Sequence, residues 1–129
     1  MQGRGLTRLL LFEVLMIHEM NLQPEPFYMI LAGKKIYELR LYDEKRQKIR
    51  PGDLLVFSMA NSEQMKLKAK VEKVLVYSSF EELYASLPMT QIGYDESSAQ
   101  NASFRDMDAY YSYEKQKQYG VVALKIKKI

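Results

Sequence analysis

Residues 65–77 read MKLKAKVEKVLVY, and no other stretch of the chain limits its fold as much. Met65, Leu67, Ala69 and Val71 alternate with Lys66, Lys68, Lys70 and Glu72. That is the period of a half-buried strand with its apolar side chains inward. The apolar phase then jumps by three, from Val71 to Val74 and Val76. Such a break predicts a β-bulge or sharp bend at Glu72-Lys73, a device that curls a sheet into a barrel. The lysine row reads as the solvated face of this strand, with a second role in discouraging edge pairing.

The flanking segments supply the other elements. IHEMNL (17–22) reads as a short strand, and QPEPF opens a helix with Pro26 in its first turn. Gly33 ends that helix in the left-handed conformation. KIYELRLY follows as a strand, with Tyr37, Leu39 and Leu41 on one face and Ile36, Glu38, Arg40 and Tyr42 on the other. Pro51-Gly52 matches the centre of a type II turn, and LLVFSMA is a largely buried strand. SSFEELYASLP carries a capping box from Ser79 to Glu82, with Pro88 just past the helix end. Residues 89–103 form a long polar loop of the kind that is mobile or functional. FRDMDAYYSYEKQKQY (104–119) reads as one final helix ended by Gly120, and VVALKIKKI as a closing strand with Val122, Leu124 and Ile126 on one face. Five or six strands, about three short helices and no βαβ alternation predict an α+β domain built on a small, mixed, mostly antiparallel barrel.

At 129 residues the chain suits one domain. Residues 17–129 make up that domain. Residues 1–16, MQGRGLTRLLLFEVLM, read as an extension or as sequence ahead of a functional start at Met16 or Met20. Arg4 and Arg8 before an apolar run imitate a signal peptide, but Glu13 interrupts the run and no cleavage pattern follows. No run is long enough to span a bilayer. The expected location is cytoplasmic, with no membrane partner.

Composition removes several chemistries. Without cysteine there are no disulfides, thiolate metal sites or cysteine nucleophile, and His18 is the sole histidine. A serine–histidine triad and a histidine-rich metal centre are therefore not expected, and no cofactor signature is present. His18 alternates with Met20 and Leu22, which marks it as structural. Charge is unevenly spread. Lys34 to Lys73 holds eleven basic and six acidic residues, whereas Glu81 to Glu114 holds seven acids against Arg105 alone. A basic portion beside an acidic one draws a polyanion to one face.

Lys35, Glu38 and Arg40 are the leading site candidates. Glu38 and Arg40 leave the same strand face, and Lys35 sits at the helix-to-strand junction beside them. Facing solvent, they form an ordinary charged ladder worth about 0.5 kcal/mol. Lining a barrel mouth, they must satisfy one another and become a preformed polar site, the cations holding a phosphate or base carbonyl and the carboxylate accepting from an amino group. Tyr110, Tyr111, Tyr113 and Tyr119 cluster near the C-terminus. Tyr110 and Tyr111 are the candidates for base stacking, while most tyrosines at this density pack a core.

These strings together, GKKIYELR followed by IRPGDLLVF and ending in YY…YG, resemble the ASCH domain family of PUA-like barrels from about Ile17 to the C-terminus. The resemblance implies a module that binds RNA or a modified nucleotide in a cleft beneath the helix before the G-x-K string. Lys35, Glu38 and Arg40 would line that cleft. The implied partner is single-stranded RNA or a modified nucleoside or nucleotide. Some small relatives are amidohydrolases that deacetylate N4-acetylcytidine, using the lysine matching Lys35 and a threonine nucleophile where this chain has Glu38. They also use a glutamate ahead of the final helix, where Asp95 or Glu96 stands here. Other relatives have been described as ribonucleases. If the chain is an enzyme, the resemblance gives Lys35 and Glu38 the acid–base roles.

Overall fold

The computed structural model describes residues 15–129. The expected extension therefore falls almost wholly outside the described residues. Five strands form one curled sheet: β1 (Ile17–Leu22), β2 (Tyr37–Leu41), β3 (Leu54–Met59), β4 (Ser62–Tyr77) and β5 (Val121–Lys128). Their spatial order is β1-β3-β4-β5-β2. Only β1 and β3 pair in parallel; the other neighbours are antiparallel. Among the described residues four α-helices accompany them, α1 (Pro24–Leu31), α2 (Phe80–Ser86), α3 (Met89–Ile92) and α4 (Tyr113–Tyr119), with 3-10 turns at 46–48, 99–101 and 104–109. The expected α+β fold with a mostly antiparallel, barrel-like sheet is present. Among the described residues no helix is long and apolar enough to cross a membrane.

The curl originates where the phase of β4 breaks. Val71 pairs with Ile126 and Lys73 with Lys125, so the register slips at Glu72. Leu67, Ala69 and Val71 point into the concave core before the bulge, and Val74 packs there after it. At its ends β4 outruns the core. Met65 is exposed rather than inward, and so is Val76. The edge-guarding role of the lysines also needs correction. Only Lys66 lies where β4 has one neighbour; Lys70 is flanked by β3 and β5, and the Lys68 carbonyl accepts from Ile129 N.

The sheet buries apolar side chains on both faces. On the concave side Phe27 and Ile30 of α1 meet Leu55, Phe57, Val71, Val122 and Leu124. On the other side Phe80 and Leu83 of α2 pack with Leu39, Leu41, Val121 and Ala123. β5 lies between the two cores, and its run Val121–Leu124 is fully buried, as expected for a strand covered on both faces. At Pro51-Gly52, Asp53 N donates to Arg50 O at 3.0 Å and Gly52 has φ +96°, the expected type II geometry. The predicted capping box is half formed. Ser79 accepts from Glu82 N, but the Glu82 carboxylate accepts from Ser78 N, one residue early.

The predicted last helix is two elements. Ser103 caps a 3-10 turn over Phe104–Ala109, and Ser112 caps α4 by accepting from Lys115 N. Two N-cap serines nine residues apart restart the backbone and leave Tyr110, Tyr111 and Ser112 as a corner. The expected 89–103 loop is likewise more ordered, since it contains α3 and a 3-10 turn. His18 sits on β1. Its Nε2 is 2.8 Å from Asp53 Oδ2, and Asp53 also accepts from Arg50 N and Met16 N. Both side chains are buried, and they lock the start of β1 to the turn before β3.

Candidate functional site

The strand face that carries Tyr42 into the concave core carries charge one turn of the pleat earlier, at Glu38 and Arg40. Tyr37, Leu39 and Leu41 hold β2 from the opposite face, in the α2 core. Gly33, with φ +75°, ends α1, and the chain turns so that Lys35 approaches Glu38. Lys35 Nζ lies 2.8 Å from Glu38 Oε1, and Arg40 Nε donates to Glu38 Oε2 at 2.6 Å. Glu38 is only 3 % exposed. Burial pushes its carboxyl up, and the adjacent Lys35 and Arg40 outweigh this, so its pKa ends below the ordinary glutamate value. Each carboxylate oxygen therefore faces its own cation, Oε1 the Lys35 ammonium and Oε2 the Arg40 guanidinium.

Arg40 joins the two ends of the sheet. β1 and β2 are its outermost strands, yet Arg40 Nη2 donates to Asn21 O on β1 at 2.8 Å. A side chain spans the gap that no backbone ladder closes. Two of the five guanidinium N–H groups are thereby engaged, one by Glu38 and one by Asn21.

The three charged residues line a cleft of about 730 Å³ along the free edge of β2. α1 contributes Glu25, Pro26 and Met29 to one wall. The opposite wall comes from three segments: Tyr84 of α2, Gly93 and Tyr94 after α3, and Asp106 and Tyr110 near the corner at 110–112. Tyr94 OH donates to Asp106 Oδ2 at 2.7 Å and meets Tyr84 OH at 2.8 Å. Burial and both hydrogen bonds push the Tyr94 phenol far above its usual range. α3 is tied to β2 by Ile36 N donating to Gln91 O, and a Cβ placed on Gly93 would come 3.8 Å from Lys35 Nζ.

Lys35, Glu38 and Arg40 are thus together, and the two tyrosine candidates part company. Tyr110 is 70 % exposed on the cleft wall. Tyr111 also borders the cleft, but it packs against the α2 core and stacks on Phe80, with ring centroids 6.0 Å apart at 18°. Neither Asp95 nor Glu96 lines the cleft. Asp95 accepts from Ser97 Oγ and Ser98 N in a local turn, which brings its pKa down to about 2. The acid on the far wall is Asp106. Tyr84, Tyr94 and Asp106 were not candidates from sequence, because residues ten and twelve apart on irregular backbone have no shared period.

A five-stranded curled sheet, closed by an arginine and opening beside a Lys–Glu–Arg cluster, defines a small PUA-like α+β domain. The chain belongs to the ASCH domain family, whose model matches residues 20–129. It is similar to the crystal structure of hypothetical protein PH0355, with 38 % identity over 88 % of this chain and 99 % of that one, at a TM-score of 0.73. It is also similar to the solution NMR structure of protein PF0455 from Pyrococcus furiosus. There the identity is 35 % over 88 % of this chain and 97 % of the other, at a TM-score of 0.65. Among curated proteins none matches.

Proposed function

We propose that the cleft binds single-stranded RNA or a nucleotide-like ligand. Membership of the ASCH family supports nucleic-acid binding in general. The observation that carries the reading is the Lys35–Glu38–Arg40 cluster on a cleft of 730 Å³, a size within the range of about 300–1,000 Å³ typical of small-molecule sites. Glu38 orients the two cations and reads an amino donor of the ligand, Lys35 supplies positive charge to a carbonyl or phosphate, and the free edge of Arg40 contacts phosphate or a base edge. Tyr110 offers a ring on which a base stacks.

A hydrolytic role is the weaker alternative. Glu38 stands where certain relatives carry a nucleophilic hydroxyl, and its carboxyl is held below the ordinary value. A general base works best with a pKa near the operating pH, and Glu38 is shifted the other way. Binding of single-stranded RNA and of nucleoside monophosphates should weaken in Arg40→Ala and in Tyr110→Ala, the second an exposed position that leaves the buried cluster intact. Undiminished affinity in both variants refutes the proposal. Turnover of acylated nucleosides, lost in Lys35→Ala and Glu38→Gln, would replace it with the hydrolytic role.

A further inference from the structure

The convex face of the sheet is covered by α2 over only part of its length. Along β5, Val121 and Ala123 belong to the α2 core, and on the same face beyond them come Lys125 and Lys127. Along β4, Tyr77 and Leu75 pack against that core, followed by Lys73 and, past the bulge, by Lys70, Lys68 and Lys66. Lys70 stands directly opposite Lys127 and Lys73 opposite Lys125. Like charges facing each other across a ladder are destabilising. None of these lysines has an ion-pair partner among the described residues, and guarding an edge does not account for Lys70, which has a strand on each side.

The face leads towards the cleft. A groove of about 250 Å³ runs between Lys125, Lys127 and Lys128 on one side and Gly33 and Lys35 on the other, with Ile30, Ile36 and Ile126 in its lining and Glu72 as its one carboxylate. Lys35 lines both this groove and the cleft, so its side chain separates the two.

We infer that the lysine row on β4 and β5 is a second binding surface, a track for the phosphate backbone of a polynucleotide whose end enters the cleft. Alternate residues of a strand lie about 6.8 Å apart, a repeat similar to that of phosphates along an extended polynucleotide. The row itself carries no aromatic side chain, and the aromatic beside it, Tyr37 opposite Lys125, packs against the α2 core. The row therefore provides charge and register but no base reading. The choice of RNA as the polyanion rests on the reading of the cleft; the existence of the track does not.

The test uses a mixed-sequence single-stranded RNA of about 20 nucleotides, long enough to reach beyond a single OB-sized site. Cytidine and adenosine 5′-monophosphates, which engage the cleft alone, serve as the second probe. Lys68→Ala/Lys70→Ala/Lys127→Ala should lower affinity for the RNA on the order of tenfold at low salt and reduce the log–log salt slope by about 2, since each phosphate left without its lysine lowers the slope by roughly 0.7. Binding of the monophosphates should not change. Lys70→Glu should raise the melting temperature, by pairing with Lys127, while it weakens RNA binding; a merely solvated face would not couple the two in opposite directions. Wild-type RNA affinity and slope in the triple variant overturn the track. So does binding of phosphatidylserine vesicles without RNA binding, which would make the face a membrane contact. If the monophosphates fail to bind but the RNA loss is seen, the cleft reading falls and the track stands.

Discussion

Glu38 and Arg40 are two residues apart on one strand and share a 2.6 Å contact, yet each also reaches further. Glu38 meets Lys35 from the end of α1, and Arg40 grips the Asn21 carbonyl at the other edge of the sheet. The candidate site and the closure of the barrel therefore use the same side chains. A ligand that engages Arg40 touches the group holding β1 to β2.

Removing Glu38 alone should cost more than removing the whole cluster. Glu38→Ala leaves two largely buried cations without their carboxylate, and breaking a buried pair in this way costs about 3–5 kcal/mol. Lys35→Met/Glu38→Leu/Arg40→Met takes every charge out together and should recover most of that loss. Urea denaturation of the two variants checks the order; a triple variant less stable than Glu38→Ala contradicts it.

Acid should weaken the fold through two carboxyls. Burial raises Glu38 and Asp53, but Lys35 and Arg40 in one case, and His18 with the Arg50 and Met16 amides in the other, bring both below their ordinary values of 4.5 and 3.8. A carboxyl depressed in the folded state adds stability that is complete above its unfolded pKa and is lost as pH falls through the folded one. Melting temperature measured from pH 7 downwards should therefore fall below about pH 4.5. Glu38→Gln and Asp53→Asn should each be less stable than wild type at pH 7 and less sensitive to acid below that point.

Gly93 joins α3 to the tyrosine wall with φ +130°. Its neighbour Lys35 leaves ordinary van der Waals room for a methyl group, so the penalty of Gly93→Ala comes from the backbone. Backbone strain of this kind costs about 1–3 kcal/mol. Gly93→Val should cost more, since a β-branched side chain tolerates positive φ less well. Equal stability of wild type and Gly93→Ala in urea would show that the segment relaxes elsewhere.

What was legible in the sequence was whatever repeats locally. The alternation in 65–71, the three-residue jump and the i,i+2 spacing of Glu38 and Arg40 are each contained within a few residues, and each has its counterpart in the bulge and the ion cluster. Met65 and Val76 misled because alternation marks a face but not where the core beneath it ends. The helix expected over 104–119 failed where two serine caps outweighed a continuous helical composition. The far wall of the cleft was illegible for another reason. Tyr84, Tyr94 and Asp106 are brought together only once α2 and the 104–109 turn pack on one another, a tertiary event that leaves no local pattern.

That wall supplies the last test. Tyr94 OH sits between Tyr84 OH and Asp106, while Ser103 N donates to the same Asp106 oxygen at 3.2 Å. Tyr94→Phe keeps the ring and removes both hydroxyl contacts, each worth about 0.5–1.5 kcal/mol, so stability should fall by about 1–3 kcal/mol with the fold retained. Asp106 keeps its Ser103 contact and becomes freer to turn into the cleft, where its charge opposes a phosphate. Nucleotide affinity should therefore fall in Tyr94→Phe and return in Tyr94→Phe/Asp106→Asn.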